Sequence, residues 1–405
     1  MLRWILFTIV ILCLDYYAFQ SIKTVTNKKT VFVIYWILSI AVLLNLYYNL
    51  FTFNDSRGLA QPMMLAFGLV ILSVSPKLIA FIVLLSEDVF RVGKSTLNFF
   101  LKTTEHDFFP GRRAFVSKMA LGLAAIPFGS VLYGMMRGKY NYQVLNHTLY
   151  FDDLPEAFNG FKLTHISDIH SGSFDNGEKI AYGIDLINEQ ESDVILFTGD
   201  IVNNTADEMN DWIPYFKKLK AKDGKYSVLG NHDYGEYARW KTTEEKRQNF
   251  QEIKDIHPKI GFNLMLNESV YIEKGTDKIA LIGVENWGTR FKKAGDLKKA
   301  SEKINNKDFK ILMSHDPSHW DAEVKESDTN YHLTLSGHTH GMQFGIEIPG
   351  LKWSPVQYVY KQWAGIYESL GRYINVNRGF GFLAFPGRVG IWPEITVITL
   401  KKQKS

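Results

Sequence analysis

The chain has 405 residues, of which 46% are hydrophobic and 14% aromatic, and its formal net charge is +4. This length exceeds that of a typical single domain, so we expect two regions. The small net charge does not indicate the strongly basic surface of a nucleic-acid-binding protein. The single cysteine, Cys13, excludes an internal disulfide bond and a cysteine-rich zinc site.

Four apolar segments occupy the N-terminal part of the chain. They cover residues 4–20, 31–51, 62–85 and 118–136. About 20 apolar residues span the core of a bilayer, so the last three are long enough, whereas the first is shorter and contains Asp15. Any one of them could be a buried helix of a soluble protein. Four in succession favour a transmembrane region with about four helices over residues 1–140, followed by a soluble domain over residues 141–405.

The charges of the connecting loops indicate an orientation in the membrane. Lys and Arg are enriched in cytoplasmic loops. Here they concentrate in the connections after the first and third segments, whereas the N-terminal stub has Arg3 and the second connection has Arg57. We therefore expect a multi-pass protein of the cell (inner) membrane, with both termini and the soluble domain outside the cytoplasm.

The segment "RRAFVSK", residues 112–118, leads directly into the fourth apolar segment. It resembles a twin-arginine export signal, because paired arginines are followed by a phenylalanine and a modest hydrophobic stretch. Alternatively, Arg112 and Arg113 simply satisfy the preference for positive charge in cytoplasmic loops. Both interpretations place the soluble domain outside the cytoplasm.

Two charged residues, Asp15 and Lys77, lie within apolar segments. They would lie at similar depths if both helices begin outside, and an ion pair is one interpretation because a charge in a membrane usually has a partner. We favour the simpler one, in which Lys77 extends to the membrane interface and Asp15 lies near it.

From about residue 145, strand-like runs alternate with longer segments of helical character. The runs are GFKLTHI, DVILFTG, KYSVLG, KIALIGV, FKILMS, YHLTLSG, RYINVN and EITVITL. The helical segments cover residues 178–190, 206–220, 242–256 and 297–304. This alternation predicts an α/β domain whose sheets are covered by helices. The stretch "GIEIPGLKWSP" is interpreted as a loop because of its proline and glycine residues.

Polar side chains follow five of these runs, where sites form in open α/β sheets. They are Asp168, His170, Asp200, Asn231, His232, Asp233, His315, His338 and His340. Imidazole and carboxylate ligands suit Mn, Fe, Zn or Co, and two such ions about 3.5–4 Å apart promote in-line displacement at phosphorus. Each residue alone could be an ordinary buried histidine or a turn residue. The ordered set predicts a centre for two divalent metal ions.

The series Asp168-x-His170, Gly199-Asp200, Gly230-Asn231-His232-Asp233, His315 and Gly337-His338-x-His340 resembles the calcineurin-like metallophosphoesterase superfamily. The likeness extends over roughly residues 145–400. The stretches "LPEAFNGFKLTHISDIH" and "PEITVITL" resemble more narrowly its exported, membrane-anchored bacterial phosphodiesterase branch. The resemblance implies an α/β fold, a two-sheet β-sandwich flanked by helices in four α/β/β/α layers, after the N-terminal transmembrane helical region.

The resemblance also implies a role for each residue. One ion would be held by Asp168, His170, Asp200 and His340, and the other by Asp200, Asn231, His315 and His338, with Asp200 bridging. His232 would lie near the leaving-group oxygen as a proton donor or electrostatic stabiliser, and Asp233 would orient its imidazole. The family often has Asp three residues after the bridging one. Asn203 stands there in this chain, and we expect its role to be limited to hydrogen bonding.

The function implied is that of a metal-dependent phosphoesterase, either a phosphodiesterase or a phosphatase. A metal-bridging hydroxide would attack the phosphate ester in line, and His232 would assist the departing oxygen. The membrane location suggests a lipid-linked or envelope substrate, and no nucleic-acid partner is expected. The alternative is a membrane-bound metal-binding regulatory or sensor protein without turnover. The complete ligand set together with His232 favours the enzyme.

Three features late in the chain allow two interpretations each. Arg378 and Arg388 lie in glycine-containing turns and could contact a substrate phosphate, although we favour surface salt bridges. The aromatic stretch "LKWSPVQYVYKQWAGIY", residues 351–367, could line a pocket or touch lipid headgroups. Packing within the domain is the favoured interpretation.

We predict that a reporter fused after Ser405 is active only outside the cytoplasm, because the positive loops hold the first and third connections inside. Paired alkaline phosphatase and green fluorescent protein fusions to the full chain measure this. A fusion after Lys29, in the first positive loop, is the matched control and should give the opposite pattern. Fluorescence from the Ser405 fusion would contradict the loop-charge argument.

Overall fold

The computed structural model describes residues 2–53, 61–101 and 110–403. Arg57 and Ser405, which entered the sequence analysis, lie outside these residues. The chain divides into two compact units, one built from the N-terminal helices through Met136 and one that begins at Arg137.

The helical unit contains, within the described ranges, four helices that are long and apolar enough to cross a membrane. They are α1 (Leu2–Val25), α2 (Lys29–Thr52), α3 (Gln61–Leu101) and α4 (Pro110–Met136). Helix α1 has 24 residues, more than the apolar segment predicted for it, because the helix extends beyond that segment at both ends. Helix α3 has 41 residues, about 60 Å at 1.5 Å per residue. It is therefore about twice as long as the hydrocarbon core of a bilayer.

Small side chains pack α1, α3 and α4 together. The buried cluster consists of Ala18, Ala80, Leu84, Ala120 and Ala124. Alanine lets helix backbones approach closely, which is the main source of attraction between helices in lipid, where burial of apolar surface gives little gain. The unit is thus held by close packing.

Asp15 and Lys77 form an ion pair inside the helical unit. Lys77 Nζ lies 2.5 Å from Asp15 Oδ1; the Asp15 side chain is fully buried and that of Lys77 is 11% exposed. Ser39 Oγ donates to the same carboxylate oxygen at 2.9 Å, and Tyr35 donates to it at 3.2 Å. The favoured interpretation, in which the two charges lie apart near the interface, was therefore wrong. Helix packing encloses both charges, so each requires a partner.

The paired arginines before α4 contact acidic residues of α3. Arg113 Nη1 lies 3.0 Å from Asp88 Oδ1, and Arg112 Nε lies 3.6 Å from Glu87 Oε1. The two arginines therefore have an electrostatic role within the helical unit. The export-signal interpretation stays a prediction.

The second unit alternates strands with short helices. Its strands are β1 (Gln143–Phe151), β2 (Lys162–Ile166), β3 (Val194–Phe197), β4 (Lys225–Ser227), β5 (Asn263–Leu264), β6 (Glu268–Lys274), β7 (Asp277–Gly283), β8 (Lys310–Met313), β9 (Leu333–Ser336), β10 (Ile346–Ile348), β11 (Leu351–Trp353), β12 (Gly365–Ser369), β13 (Arg372–Val376) and β14 (Glu394–Lys402). Its α-helices are α5 (Gly177–Asn188), α6 (Ile213–Phe216), α7 (Thr243–Lys259) and α8 (Leu297–Ser301).

Two six-stranded sheets form the centre of this unit. Their strand orders are β1-β14-β2-β3-β4-β5 and β12-β13-β9-β8-β7-β6. A shared core contains Leu163 and Leu196 from the first sheet and Leu281, Ile311 and Leu335 from the second, so the sheets pack face to face. Strands β2, β3 and β4 run parallel, as do β7, β8 and β9, so each sheet gathers the carboxyl ends of its strands at one edge.

Helices cover the two sheets, which confirms the predicted class of a helix-flanked two-sheet α/β fold. Helix α5 buries Ile180, Ile184 and Ile187 at helical spacing. Side-chain caps fix the first turns of α5 and α7. The Asn176 side chain accepts a hydrogen bond from the backbone N–H of Lys179, and the Thr242 side chain accepts one from the backbone N–H of Glu245.

Each of the eight predicted strand runs contains a strand, but two other predictions were wrong. The supposed loop "GIEIPGLKWSP" forms the antiparallel hairpin β10–β11, because the Pro349-Gly350 turn reverses the chain with Gly350 at φ +81°. Residues 206–220 contain only a 3₁₀ turn at Ala206–Met209 and the single turn α6. Pro214 cannot donate the hydrogen bond that a continuous helix would need there.

Neutralising one member of the Asp15–Lys77 pair should destabilise the helical unit by about 3 kcal/mol, because the other charge would be left buried. Removing both should cost less than the worse single change. Stability and membrane insertion of Asp15→Asn, Lys77→Met and the double variant measure this coupling. A double variant no better than the worse single variant would show that the pair contributes nothing. Lys23→Met, at an exposed position of α1, is the control for loss of a lysine from the helical unit.

Candidate metal centre

The first group of polar side chains comes from the loops after β2 and β9. Asp168, His170 and His340 each offer a ligand atom, and these atoms lie within 4.8 Å of one another. His340 Nε2 lies 3.2 Å from Asp168 Oδ1, and His170 Nε2 lies 3.9 Å from the same oxygen. All three residues are buried. The structure therefore brings these three predicted residues together.

The second group comes from the loops after β3, β4, β8 and β9. Ligand atoms of Asp200, His315 and His338 also lie within 4.8 Å of one another. Asn231 joins them, because its Oδ1 lies 2.8 Å from His338 Nδ1. His338 Nδ1 is in turn 3.3 Å from His315 Nε2. The four residues converge from both sheets.

One carboxylate oxygen faces both groups. Asp200 Oδ2 lies 3.6 Å from His170 Nε2 and 3.2 Å from His315 Nε2. The other oxygen, Oδ1, accepts a hydrogen bond from the backbone N–H of His232 at 2.8 Å. That bond fixes the orientation of the carboxylate, so Oδ2 stays directed between the two groups.

The donor set fits divalent metal ions. Among the described residues, both ring nitrogens of His170 are buried without a hydrogen-bond partner, which is rare in folded proteins. Adjacent ligands with metal–ligand bonds of about 2.0–2.2 Å lie roughly 3–4 Å apart, as do the oxygen and nitrogen atoms here. Imidazoles and carboxylates are also the ligands that Mn, Fe, Zn and Co prefer.

The charge states suit metal binding. Burial opposes the negative charge of Asp168 and Asp200, but neighbouring imidazoles, chiefly His340 and His315, hold the pKa of each carboxyl below its usual value. Burial, with the proximity of His340, lowers the pKa of the His170 imidazole. Burial alone would also lower the pKa of His315, yet the Asp200 carboxylate raises it to about 10. A cation that binds His315 therefore displaces a proton.

The backbone is strained at these positions. Five of the seven predicted ligands have left-handed φ angles, which non-glycine residues rarely adopt. They are Asp168 (52°), His170 (47°), Asp200 (59°), His338 (70°) and His340 (50°). Such conformations cost of order 1–3 kcal/mol each and persist only where surrounding structure enforces them, typically at functional sites.

Two glycines allow the loops to approach the carboxylates. A Cβ atom on Gly337 would lie 1.9 Å from Ser167 Oγ and 2.2 Å from Asp168 Oδ2. A Cβ atom on Gly230 would lie 2.2 Å from Asp200 Oδ1. Neither distance is sterically allowed, so glycine is required at both places.

Backbone carbonyls orient two of the imidazoles. Thr198 O accepts from His315 Nδ1 at 2.7 Å, and Asn203 O accepts from His232 Nδ1 at 2.7 Å. Because a carbonyl can only accept, each Nδ1 carries the proton. In each neutral ring Nε2 is then the nitrogen with a free lone pair, and in His315 this atom faces Asp200.

Known families match both units of the chain. A model described as calcineurin-like phosphoesterase, transmembrane domain, matches residues 2–139, and the calcineurin-like phosphoesterase model matches residues 161–342. The metallophosphoesterase YkuE of Bacillus subtilis is 33% identical over 299 residues, 72% of this chain and 97% of YkuE. The chain belongs to the calcineurin-like metallophosphoesterases.

Other relatives resemble this metallophosphoesterase over different lengths. One from Helicobacter pylori strain J99 is 24% identical over 404 residues, 99% of this chain and 98% of the relative. The phosphopantetheinyl hydrolase PptH of Mycobacterium tuberculosis, a solved structure, is 12% identical with a TM-score of 0.33, covering 54% of this chain and 88% of PptH. With its four apolar helices and the match to the transmembrane family, the protein is a membrane protein.

Asp233 does not orient the imidazole of His232, contrary to the role that the family resemblance implied. Its Oδ2 accepts from the backbone N–H groups of Asp200 and Gly230, and its Oδ1 accepts from that of Ile201. Asp233 therefore joins two ligand-bearing loops of the metallophosphoesterase unit. Burial, together with the nearby Asp200 charge, raises its pKa to about 7.

Asn203 takes the orienting contact instead, through its backbone carbonyl. Its side chain donates to Ser173 Oγ at 3.1 Å, and its backbone N–H donates to Glu208. These bonds hold the loop that carries the carbonyl, so the role of Asn203 is hydrogen bonding, as expected. The hydrogen bond from His315 to the Thr198 carbonyl was not predicted, because residue type does not show where a backbone carbonyl points.

The two late arginines lie in the interior. Arg388 is fully buried, and its guanidinium donates to the carbonyls of Arg378 and Gly381 at 2.7 and 2.6 Å. Arg378 pairs with the buried Glu394 and with Glu347. The predicted salt bridges therefore exist at Arg378, but that side chain is buried rather than at the surface. The prediction was wrong for Arg388, because the turns here leave buried carbonyls that only an internal donor can satisfy.

Aromatic side chains surround the mouth of the centre. Phe291 and Tyr360 lie 4.6 and 5.5 Å from the His338 ring, and Tyr237 lies 4.5 Å from the His232 ring, measured between centroids. Only Tyr360 belongs to the aromatic stretch singled out in the sequence. Packing, the favoured interpretation of that stretch, is confirmed for Val356, Trp363 and Ala364, which form a buried cluster with Ile391. Tyr360 packs against this cluster and also lies beside the His338 ring.

Gly337→Ala should displace Asp168 and reduce the metal content of the protein, because the added methyl group overlaps Ser167 and Asp168. Overpacking of this kind also costs about 1–3 kcal/mol of stability. Elemental analysis of the purified full chain after equilibration with Mn²⁺ measures the bound metal. Gly129→Ala in α4 is the control, because no described residue would lie within 4 Å of its Cβ outside the helix. Equal metal content in Gly337→Ala and wild type would contradict the expectation.

Proposed function

We propose that this metallophosphoesterase hydrolyses a phosphate ester with two divalent metal ions, drawn from Mn, Fe, Zn or Co. The position of Asp200 Oδ2, within 3.6 Å of a nitrogen in each group, carries the proposal. A single carboxylate oxygen that faces two ligand groups is the arrangement that bridges a metal pair.

The assignment of ligands follows from the two groups. Asp168, His170, Asp200 and His340 would hold one ion, and Asp200, Asn231, His315 and His338 would hold the other. Each ion would then have four protein ligands, which leaves positions for water and for phosphoryl oxygens. When bound, such a pair lowers the pKa of coordinated water and neutralises charge on the phosphoryl group.

His232 is the chain's own candidate for catalysis. Its ring lies 4.9 Å from that of His170, measured between centroids, so it borders the first group. The Asn203 carbonyl accepts from Nδ1, so Nε2 is the atom that can donate a proton to the departing oxygen of the ester when the ring is in its imidazolium form. A metal sensor needs no such residue, so this geometry favours the enzyme over the regulatory alternative.

The substrate class follows from location and from the rim of the site. The membrane unit suggests a lipid-linked or envelope phosphate ester, with the catalytic domain outside the cytoplasm. Tyr237, Phe291 and Tyr360 provide aromatic surface beside the ligands, which suits an ester with an apolar or planar group. Both phosphomonoesters and phosphodiesters are compatible with this rim.

Asp200→Asn should abolish hydrolysis and metal binding, because the neutral amide binds the two cations more weakly. The test uses the full chain in lipid nanodiscs with Mn²⁺ and bis(p-nitrophenyl) phosphate or p-nitrophenyl phosphate. His147→Ala, which removes a half-buried histidine on β1, is the matched control and should retain activity. Unchanged turnover and unchanged metal content in Asp200→Asn would overturn the proposal.

His232→Ala should lower kcat by about 10²–10⁴-fold while the bound metal is retained, as expected for loss of a proton donor. The loss should be larger for phenyl phosphate than for p-nitrophenyl phosphate, because the poorer leaving group needs the proton more. Equal losses for the two esters would rule out proton donation. Loss of metal in this variant would instead make His232 a structural residue of the centre.

A further inference from the structure

The β10–β11 hairpin exposes an apolar face. Ile346 pairs with Trp353, and Ile348 pairs with Leu351. Residues two apart on a strand, and residues opposite each other on paired strands, point to the same side. These four side chains therefore share one face. Ile346 is 47% exposed, Trp353 37%, Ile348 59% and Leu351 48%.

The opposite face holds the hairpin to the domain. Glu347 pairs with Arg378, and Lys352 Nζ donates to the Ala364 carbonyl. A two-stranded hairpin alone is marginally stable in water, so these polar contacts fix which face points outward. The polar face therefore contacts the domain while staying partly exposed, whereas the outer face carries only apolar side chains.

The residues around this face are those of a membrane interface. Tyr358 is 78% exposed and accepts a hydrogen bond from Trp353 Nε1 at 3.4 Å. Trp and Tyr are enriched where lipid headgroups meet acyl chains. Residues 346–362 contain one acidic residue, Glu347, whose charge Arg378 compensates. Of their two lysines, Lys352 faces the domain and Lys361 is exposed. This charge balance suits an anionic lipid surface.

The hairpin also lies beside the place where the chain enters this domain. Gln143, the first residue of β1, lines the same 490 Å³ cavity as Glu347 and Ile348. Helix α4 ends at Met136, and the chain reaches Gln143 at no more than about 3.6 Å per residue. The hairpin therefore lies on the side of this unit where the connection from α4 enters.

We propose that the outer face of the β10–β11 hairpin inserts its apolar side chains into the interface of an anionic phospholipid bilayer. Such insertion requires neither the metal centre nor hydrolytic activity.

Spin-label accessibility in the full chain tests the proposal. A nitroxide is attached at Ile348→Cys in a Cys13→Ser background, and the protein is placed in nanodiscs of phosphatidylcholine and phosphatidylglycerol. Leu370→Cys, an exposed apolar position in the β12–β13 turn, is the matched control. The ratio of the nitroxide's collision rate with lipid-soluble oxygen to its collision rate with a water-soluble nickel complex should be higher at position 348 than at position 370. Leu351→Cys, on the same face, guards against local misfolding at position 348.

Lipid-like accessibility at positions 348 and 351 together with water-like accessibility at 370 supports the proposal. Water-like accessibility at 348 and 351 overturns it. Dipolar broadening of the spectrum at position 348 would mean that a second copy of the chain covers this face, and that result overturns it as well.

Discussion

The candidate centre depends on one constraint, the position of the Asp200 carboxylate between two groups of ligands. Its Oδ1 is held by the backbone N–H of His232, and its own backbone N–H is held by Asp233. Four loops must be correctly placed for Oδ2 to reach nitrogens of both His170 and His315. Because these loops start from different sheets, the packing of the β-sandwich sets the spacing of the ligands. Packing of the core thus stabilises the site, because its free energy compensates the backbone strain at Asp200 and its neighbours.

Buried charge is balanced in both units by internal partners. In the helical unit, Asp15 and Lys77 neutralise each other with help from hydroxyl groups. In the second unit, Arg388 contacts only backbone carbonyls and ring nitrogen among its close polar partners in the described chain, whereas Arg378 pairs with two carboxylates. An unpaired buried charge would cost several kcal/mol. The arginines therefore fix the turns on which the ligand loops rest, and their removal would disturb the centre without touching a ligand.

The sequence predicted what is local and missed what depends on distant partners. Strand ends followed by Asp, His and small residues indicated the ligand loops, because that signal is contained within a few residues. Asp233 was misassigned because its partners, Asp200 and Ile201, are more than thirty positions away in the chain. The Asp15–Lys77 pair depends on how helices pack, and the hairpin depends on how Pro349 and Gly350 reverse the chain. Composition could not distinguish that turn from an irregular loop.

A single stretch of chain connects the centre to the exposed hairpin. It leaves the centre at His340, forms β10 and β11, and returns to place Tyr360 5.5 Å from the His338 ring. Two hydrogen bonds close this excursion at its base, from Thr339 to Trp363 O and from Ser354 to Gly341 O. A force on the hairpin would therefore be transmitted to the ligand loop through fixed contacts. The exposed hairpin and the aromatic side chain of Tyr360 are therefore held together by one hydrogen-bonded excursion of the chain.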